Sequence, residues 1–292
     1  MNVKHILNEI EKVDPEVYER LDTRRNAMRQ FAGLAGKLAT AAVPFALGGM
    51  FKKAYGQSAR SQTLLDVLNF ALTLEYLEAK FYQLGNAAAT AGTLAIPAGV
   101  ERNSFITIGA HETAHVAFLR STITTLGGTP VPEPVFDFTA GNGTMAGPFV
   151  AVFTNYALYL AVAQTFEDTG VRAYKGQAVD PDLMANNDVL QAALQIHSVE
   201  ARHAAQVRRI RKANTGLVPA GVDVKPWITL NQSGIASAAV QPSYDGEQIT
   251  NQAGVEIVGI NGQAISANAA SEAFDEPLTK AQVLAIVDPF IV

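Results

Sequence analysis

Six residues carry the chemistry that can be read from this chain. Glu75 stands alone, Glu112 and His115 form a Glu-x-x-His pair, Glu167 stands alone, and Glu200 and His203 form a second pair. In that order they make a ligand set for two metal ions inside a four-helix bundle. Three residues along an α-helix amount to about 300° of rotation and about 4.5 Å of rise, so the two members of a pair leave the same face. One imidazole can then cap each ion while the carboxylates chelate or bridge. A single Glu-x-x-His is weak evidence, but two, each preceded by a helix with a buried glutamate, form a pattern.

The elements that must position these groups follow from the apolar spacing. Steps of three or four give Leu64, Leu68, Ala71, Glu75, Ala79, Tyr82 on a first helix and Phe105, Ile108, Glu112, His115, Leu119, Ile123, Leu126 on a second. A third reads Phe153, Ala157, Leu160, Gln164, Glu167, Val171, Tyr174, and a fourth Val189, Ala193, Ile196, Glu200, His203, Val207, Ile210. Each ligand candidate occupies a core position. Burying four carboxylates costs several kcal/mol per ion, so each must take up a proton or bind a cation. Two divalent ions match four carboxylates in charge.

Helix-stop residues place the four helices at about residues 61–88, 102–126, 148–176 and 186–213, with Pro148 as a first-turn residue. Between the second and third, residues 129–146 hold prolines and glycines without a helical period. Eighteen extended residues reach about 60 Å, enough to run the length of a bundle. The expected fold is all-α, a four-helix bundle with a long crossover between helices 2 and 3.

Other polar residues near the stripe leave alternatives open. His197, one turn before Glu200, is a donor behind the ligands, a third histidine ligand or a surface histidine. Gln164, one turn before Glu167, could orient a ligand. Tyr82 and Tyr174 each follow a glutamate by seven; packing is the plainer role, hydrogen bonding across the core or redox activity the alternative. Glu78 and Asp168 are expected in solvent or paired with arginine, with Arg202 and Arg208 available.

Residues 74–82 (LEYLEAKFY), 111–115 (HETAH), 166–171 (FEDTGV) and 199–203 (VEARH) resemble the ferritin-like di-iron carboxylate superfamily, and within it the desiccation-related ferritin-like proteins, over roughly residues 60–213. The resemblance implies metal ligation by Glu75, Glu112, His115, Glu167, Glu200 and His203. The relation of Glu75 to Tyr82 favours Glu75 over Glu78 as the first ligand. It implies two iron ions, with manganese as the alternative; manganese catalases tend to lack the fourth-helix glutamate that Glu200 supplies here. The implied activity is Fe(II) oxidation or the handling of dioxygen or peroxide in stress protection. Its alternatives are a metal-stabilised, desiccation-related binding protein without catalysis and a manganese catalase-like enzyme. Many relatives carry an acidic residue before the second Glu-x-x-His to orient a histidine. Here that position is Val199.

The chain of 292 residues is 17% charged and 48% hydrophobic, with net charge −5 and no cysteine. Disulfides, zinc–thiolate sites and iron–sulfur clusters are thereby excluded, and a nucleic-acid partner is disfavoured. A monomer or small homo-oligomer is expected over a cage, because long additions flank the bundle. Three regions are expected: an N-terminal extension (1–57), the bundle (58–215) and a C-terminal tail packing on it (216–292). Thr-Arg-Arg-Asn-Ala-Met-Arg (23–29) reads as a twin-arginine signal, followed by a weakly apolar run from Phe31 to Phe51 too poor for a transmembrane span. Export to the periplasm follows from that reading; a cytoplasmic protein with an uncleaved arm is the alternative. In the tail, Val255–Gly262 alternates and ends in Asn-Gly, predicting a short β hairpin, and residues 279–287 predict a terminal helix. The tail is expected to cover Phe70, Leu74, Leu77 and Phe81, a second apolar stripe on the first helix.

Overall fold

The computed structural model describes residues 61–292. The expected N-terminal extension, with its twin-arginine motif, lies outside the described residues. Four long helices form the bundle: α1 (Ser61–Thr90), α2 (Val100–Thr125), α3 (Tyr156–Gln177) and α5 (Asn187–Ala213), with a one-turn α4 (Pro181–Met184) before the last. Two shorter helices, α6 (Ala267–Glu272) and α7 (Lys280–Val287), and the strands β1 (Asn251–Gln252) and β2 (Val255–Glu256) follow. Among the described residues, no helix is long and apolar enough to cross a membrane.

The bundle is built as two hairpins. α1 packs chiefly on α2, and α3 chiefly on α5. The segment between α2 and α3 is the long crossover, and its path along α1 can be followed through its contacts. Val131 N donates to Asn69 Oδ1 at 2.8 Å, Lys80 pairs with Glu133 at 3.0 Å, and Phe138 packs on Phe81. It therefore climbs α1 from residue 69 to residue 81 and delivers α3 parallel to α2. Buried Asp137 fixes the top of this path by accepting from Thr139 N and from Gly143 N and Met145 N, all at 3.0 Å.

α3 begins later than Pro148 suggests. Residues 149–154 form turns that bury Phe149 and Val152, and the helix starts only after Asn155, whose side chain accepts from Leu158 N. An extended Asn with a side-chain acceptor is the stronger N-terminal signal. The hairpin also lies upstream of its expected place. Its turn is Ala253–Gly254, both with positive φ (52° and 86°), as a tight two-residue hairpin requires. Asn261–Gly262 instead belongs to a single 3-10 turn. The terminal helix forms at Lys280–Val287 behind a Thr279/Gln282 capping box.

The two ends of the bundle are filled differently. Beyond the carboxylates in the direction of Tyr82 lies an aromatic block in which Phe81 stacks on Tyr159 at 4.8 Å and meets Phe138, Phe153 and Phe166. Gly85 admits the Tyr159 ring: a β-carbon there would come within 2.4 Å of it. The other end is aliphatic, around Leu68, Ala71, Leu119, Val189 and Ile196.

The second stripe of α1 is buried. Phe81 packs against Phe138 and Phe153 of the crossover and Tyr159 and Phe166 of α3, and Lys280 of α7 lies over the Phe70 ring. Tail residues are tied to α3 and α5 through buried guanidinium groups. Arg172 donates to the carbonyls of Ser243, Asp245 and Glu276 and pairs with Glu247 at 2.7 Å. Arg211 donates to Gly234 O, and Arg208 to Trp227 O.

Candidate metal centre

Each of the four long helices brings its polar core residues to one level of the bundle. Glu75, Glu112, Glu167 and Glu200 have no solvent exposure, and His203 is buried. Ligand atoms from Glu75, Glu112, His115 and Glu200 lie within 4.8 Å of one another, as do those from Glu112, Glu167, Glu200 and His203. Glu112 and Glu200 belong to both clusters. All six residues of the sequence pattern therefore meet, in two groups that share two carboxylates.

The two groups repeat one geometry. His115 Nδ1 faces Glu112 at 3.0 Å, Glu75 at 3.1 Å and Glu200 at 3.3 Å. His203 Nδ1 faces Glu112 at 2.8 Å, Glu167 at 3.3 Å and Glu200 at 3.9 Å. The tyrosines cross over between hairpins: Tyr82 donates to Glu167 Oε1 and Tyr174 donates to Glu75 Oε1. Each tyrosine therefore locks the lone carboxylate of the opposite hairpin and leaves its second oxygen for the centre.

The donor set fits a pair of cations. Glu112 Oε1, Glu167 Oε2, both oxygens of Glu200 and His203 Nδ1 are buried without a hydrogen-bond partner among the described residues. These atoms are close, yet several are not aligned as donor and acceptor. Converging lone pairs without shared hydrogens are what a metal ion satisfies. Oxygen-rich ligation with one imidazole per ion suits Fe(II) or Mn(II).

Without cations, protons take their place. Burial pushes Glu75 up to about 7, and burial with neighbouring carboxylates raises Glu167 and, much further, Glu200. Burial works against the charge of Glu112 as well, but the hydrogen bond with His115 and the positive charges of His203 and His115 beside it hold it down at about 2. For the histidines burial lowers basicity, and the surrounding carboxylates override it, raising His115 to about 12 and His203 to about 11. The metal-free centre thus sets the Glu112 carboxylate between two imidazolium groups, with the other three carboxyls shifted towards their protonated form.

Two further residues stand at the centre. Glu78 was expected in solvent or on an arginine; it is buried, and burial together with Glu200, Glu167, Glu112 and Glu75 raises its pKa well above the ordinary value. Gly170 makes the room: a β-carbon there would lie 3.1 Å from Glu78 Oε1 and 3.3 Å from Glu200 Oε2. At i+3 from Glu75, Glu78 shares the inward face, which is the sequence signal for it. The other is His111, whose Nδ1 lies 2.9 Å from His203 Nε2, with the two rings only 15° from coplanar. If His203 Nδ1 gives its lone pair to a cation, its Nε2–H donates to His111, fixing the tautomer. The residue before the first Glu-x-x-His therefore backs the histidine of the second, where Val199 cannot.

Other sequence candidates lie elsewhere. Gln164 does not reach the centre; its amide donates to Ser233 O and Tyr244 Oη and accepts from Arg211. His197 is in neither cluster; it sits near Lys175 and Asp275, with burial lowering its pKa. Asp168 is buried and paired with Arg208, Nε–Oδ1 3.1 Å. Arg202 is exposed.

A family model described as a ferritin-like domain matches residues 63–213, just over half of the chain. No curated protein and no solved structure matches the chain.

Proposed function

The chain belongs to the ferritin-like domain family, and from that premise we propose that it binds two iron ions and oxidises Fe(II) with dioxygen or peroxide. The observation that carries the reading is the pair of histidine Nδ1 atoms, each facing three carboxylates, two of which are common to both. Bound as a pair, two Fe(II) ions supply two electrons, which with two protons convert dioxygen to hydrogen peroxide or hydrogen peroxide to two waters.

The residues set the conditions for that exchange. Glu75 and His115 would hold one ion and Glu167 and His203 the other, with Glu112 and Glu200 available to either. Tyr82 and Tyr174 hold Glu167 and Glu75 in place through their hydroxyls. Glu78, whose burial among the other carboxylates favours its neutral form, stands beside Gly170 at the edge of the centre. His111, on the exposed face of α2, connects buried His203 to water.

The likeness to desiccation-related proteins and the twin-arginine motif extend the reading to stress protection outside the cytoplasm, in a monomer or small oligomer. The readings without Fe(II) oxidation are a manganese catalase-like enzyme and a stress protein with structural metal. Aerobic addition of Fe(II) to metal-free protein tests the proposal. The expected result is Fe(III) absorbance rising faster than in buffer and saturating at about two irons per chain. Continued growth far beyond two would indicate storage. No acceleration by iron, with peroxide consumed by the manganese-loaded protein, would replace the proposal with catalase-like activity. Neither reaction would leave the structural role.

A further inference from the structure

The aliphatic end of the bundle is not completely filled. A small apolar cavity of about 20 Å³, partly open to the surface, lies there, walled by Phe70, Ala71, Leu119, Tyr174, Ala193 and Ile196 among others. Ala71 is four residues before Glu75, Leu119 four after His115 and Ile196 four before Glu200, so the cavity lies about one helical turn, roughly 5–6 Å of rise, from the carboxylates. Tyr174 joins the two: its ring is part of the wall, and its hydroxyl donates to Glu75.

We infer that this cavity is a docking site for dioxygen, a small apolar gas, on its way to the metal centre. The inference rests on the proposed function for its consequence, and on the cavity alone for its ligand. The volume admits one molecule of one or two heavy atoms. Of the lining side chains only Tyr174 and Gln177 carry polar atoms, and the Tyr174 hydroxyl is engaged with Glu75. Water or hydrogen peroxide needs two to four polar partners to be held, whereas an apolar lining favours apolar guests. A hydrated Fe(II) ion finds no ligand there. Polar reactants have another approach, the α2 face, where His111 is exposed and the His115 side chain retains 11% of its exposure. The gas and the polar reactants thus reach the centre from different sides.

Xenon tests the cavity itself. Crystals pressurised with xenon should show one atom between Ala71, Leu119, Tyr174 and Ile196, and Ala193→Leu should abolish it. Stopped-flow oxidation of Fe(II) then tests the route: Ala193→Leu should slow the reaction with dioxygen several-fold and leave the reaction with hydrogen peroxide unchanged. An empty cavity under xenon overturns the inference, whether or not the variant folds. Equal slowing with both oxidants overturns the route, since it would show a disturbed centre. If the wild-type protein oxidises Fe(II) with neither oxidant, the proposed function fails, and the xenon result still decides the docking site.

Discussion

The α1–α2 hairpin and the α3–α5 hairpin offer the same ligands in the same order, yet they stand in different surroundings. α3 is buried along nearly its whole length, from Tyr159 to Tyr174, and the tail is anchored to it and to α5 by Arg172, Arg208 and Arg211. α2 buries only Phe105, Ile108, Glu112, Leu119, Thr122 and Ile123. One wall of the centre is encased, and the opposite wall meets water. The polarity follows: the histidine of the encased hairpin, His203, has His111 behind it, while His115 of the open hairpin is partly exposed. Matching ligands need not bind alike when their supports differ.

The largest effect should come from the carboxylates common to both groups. Glu112→Ala or Glu200→Ala should reduce occupancy from about two metals per chain towards zero, and Glu75→Ala or Glu167→Ala only to about one. Elemental analysis after loading and desalting gives the count. Equal loss in all four variants would show that the two halves cannot act separately.

Metal removal comes next, and pH gives it a sign. At a free metal concentration about a hundred times Kd, each site adds about 2.7 kcal/mol to stability, so chelation should lower Tm clearly. In the metal-free protein Glu75 is raised to about 7, and His115 and His203 to about 12 and 11. Groups raised in the folded state stabilise it below their unfolded pKa values and lose that contribution as pH climbs towards the folded ones. Metal-free Tm should therefore fall between about pH 5 and about pH 8, while metal binding strengthens because fewer protons must be displaced. Melting curves with and without chelator should diverge as pH rises. A gap that narrows with pH would contradict the protonated centre described above.

His111→Ala sharpens the comparison more selectively. Loss of a partner behind a metal-bound histidine typically costs about 10- to 100-fold in affinity, and here the loss should fall on the His203 site alone. Calorimetric titration should resolve one weakened and one unchanged site; His111→Gln, which keeps an acceptor, should restore part of the difference. Two sites weakened equally would mean that His111 acts through the helix and not through His203.

The smallest expected difference is between Tyr82→Phe and Tyr174→Phe. Each removes one hydroxyl from a buried carboxylate, worth about 1 kcal/mol. Similar losses in chemical denaturation would show that the crossed tyrosines are equivalent; a larger loss for Tyr174→Phe would place extra weight on the wall of the apolar cavity.

Much of this was legible in the sequence because ionisable residues at core positions of a 3.6-residue period have few explanations. The long crossover was legible for a similar reason, since residues 129–146 can neither continue a helix nor form a tight turn. Glu78 and His111 were less so. Glu78 points inward only because Gly170 leaves space on a different helix, and His111 lies beside a stripe, where a histidine usually faces water. The tail was the least legible part. Arg172, Arg208 and Arg211 hold it largely by backbone carbonyls, and carbonyls leave no pattern of side-chain types to read.

Each of the two ligand groups takes three residues from one hairpin and one from the other: Glu200 completes the first group, and Glu112 the second. The hairpins are joined by short-range contacts within and by a long closure between, so each can form before the two meet. Neither hairpin alone holds a complete group. Metal uptake should therefore trail helix formation in a refolding experiment and report the moment of docking, with the two glutamates acting as a mutual latch that is fastened last.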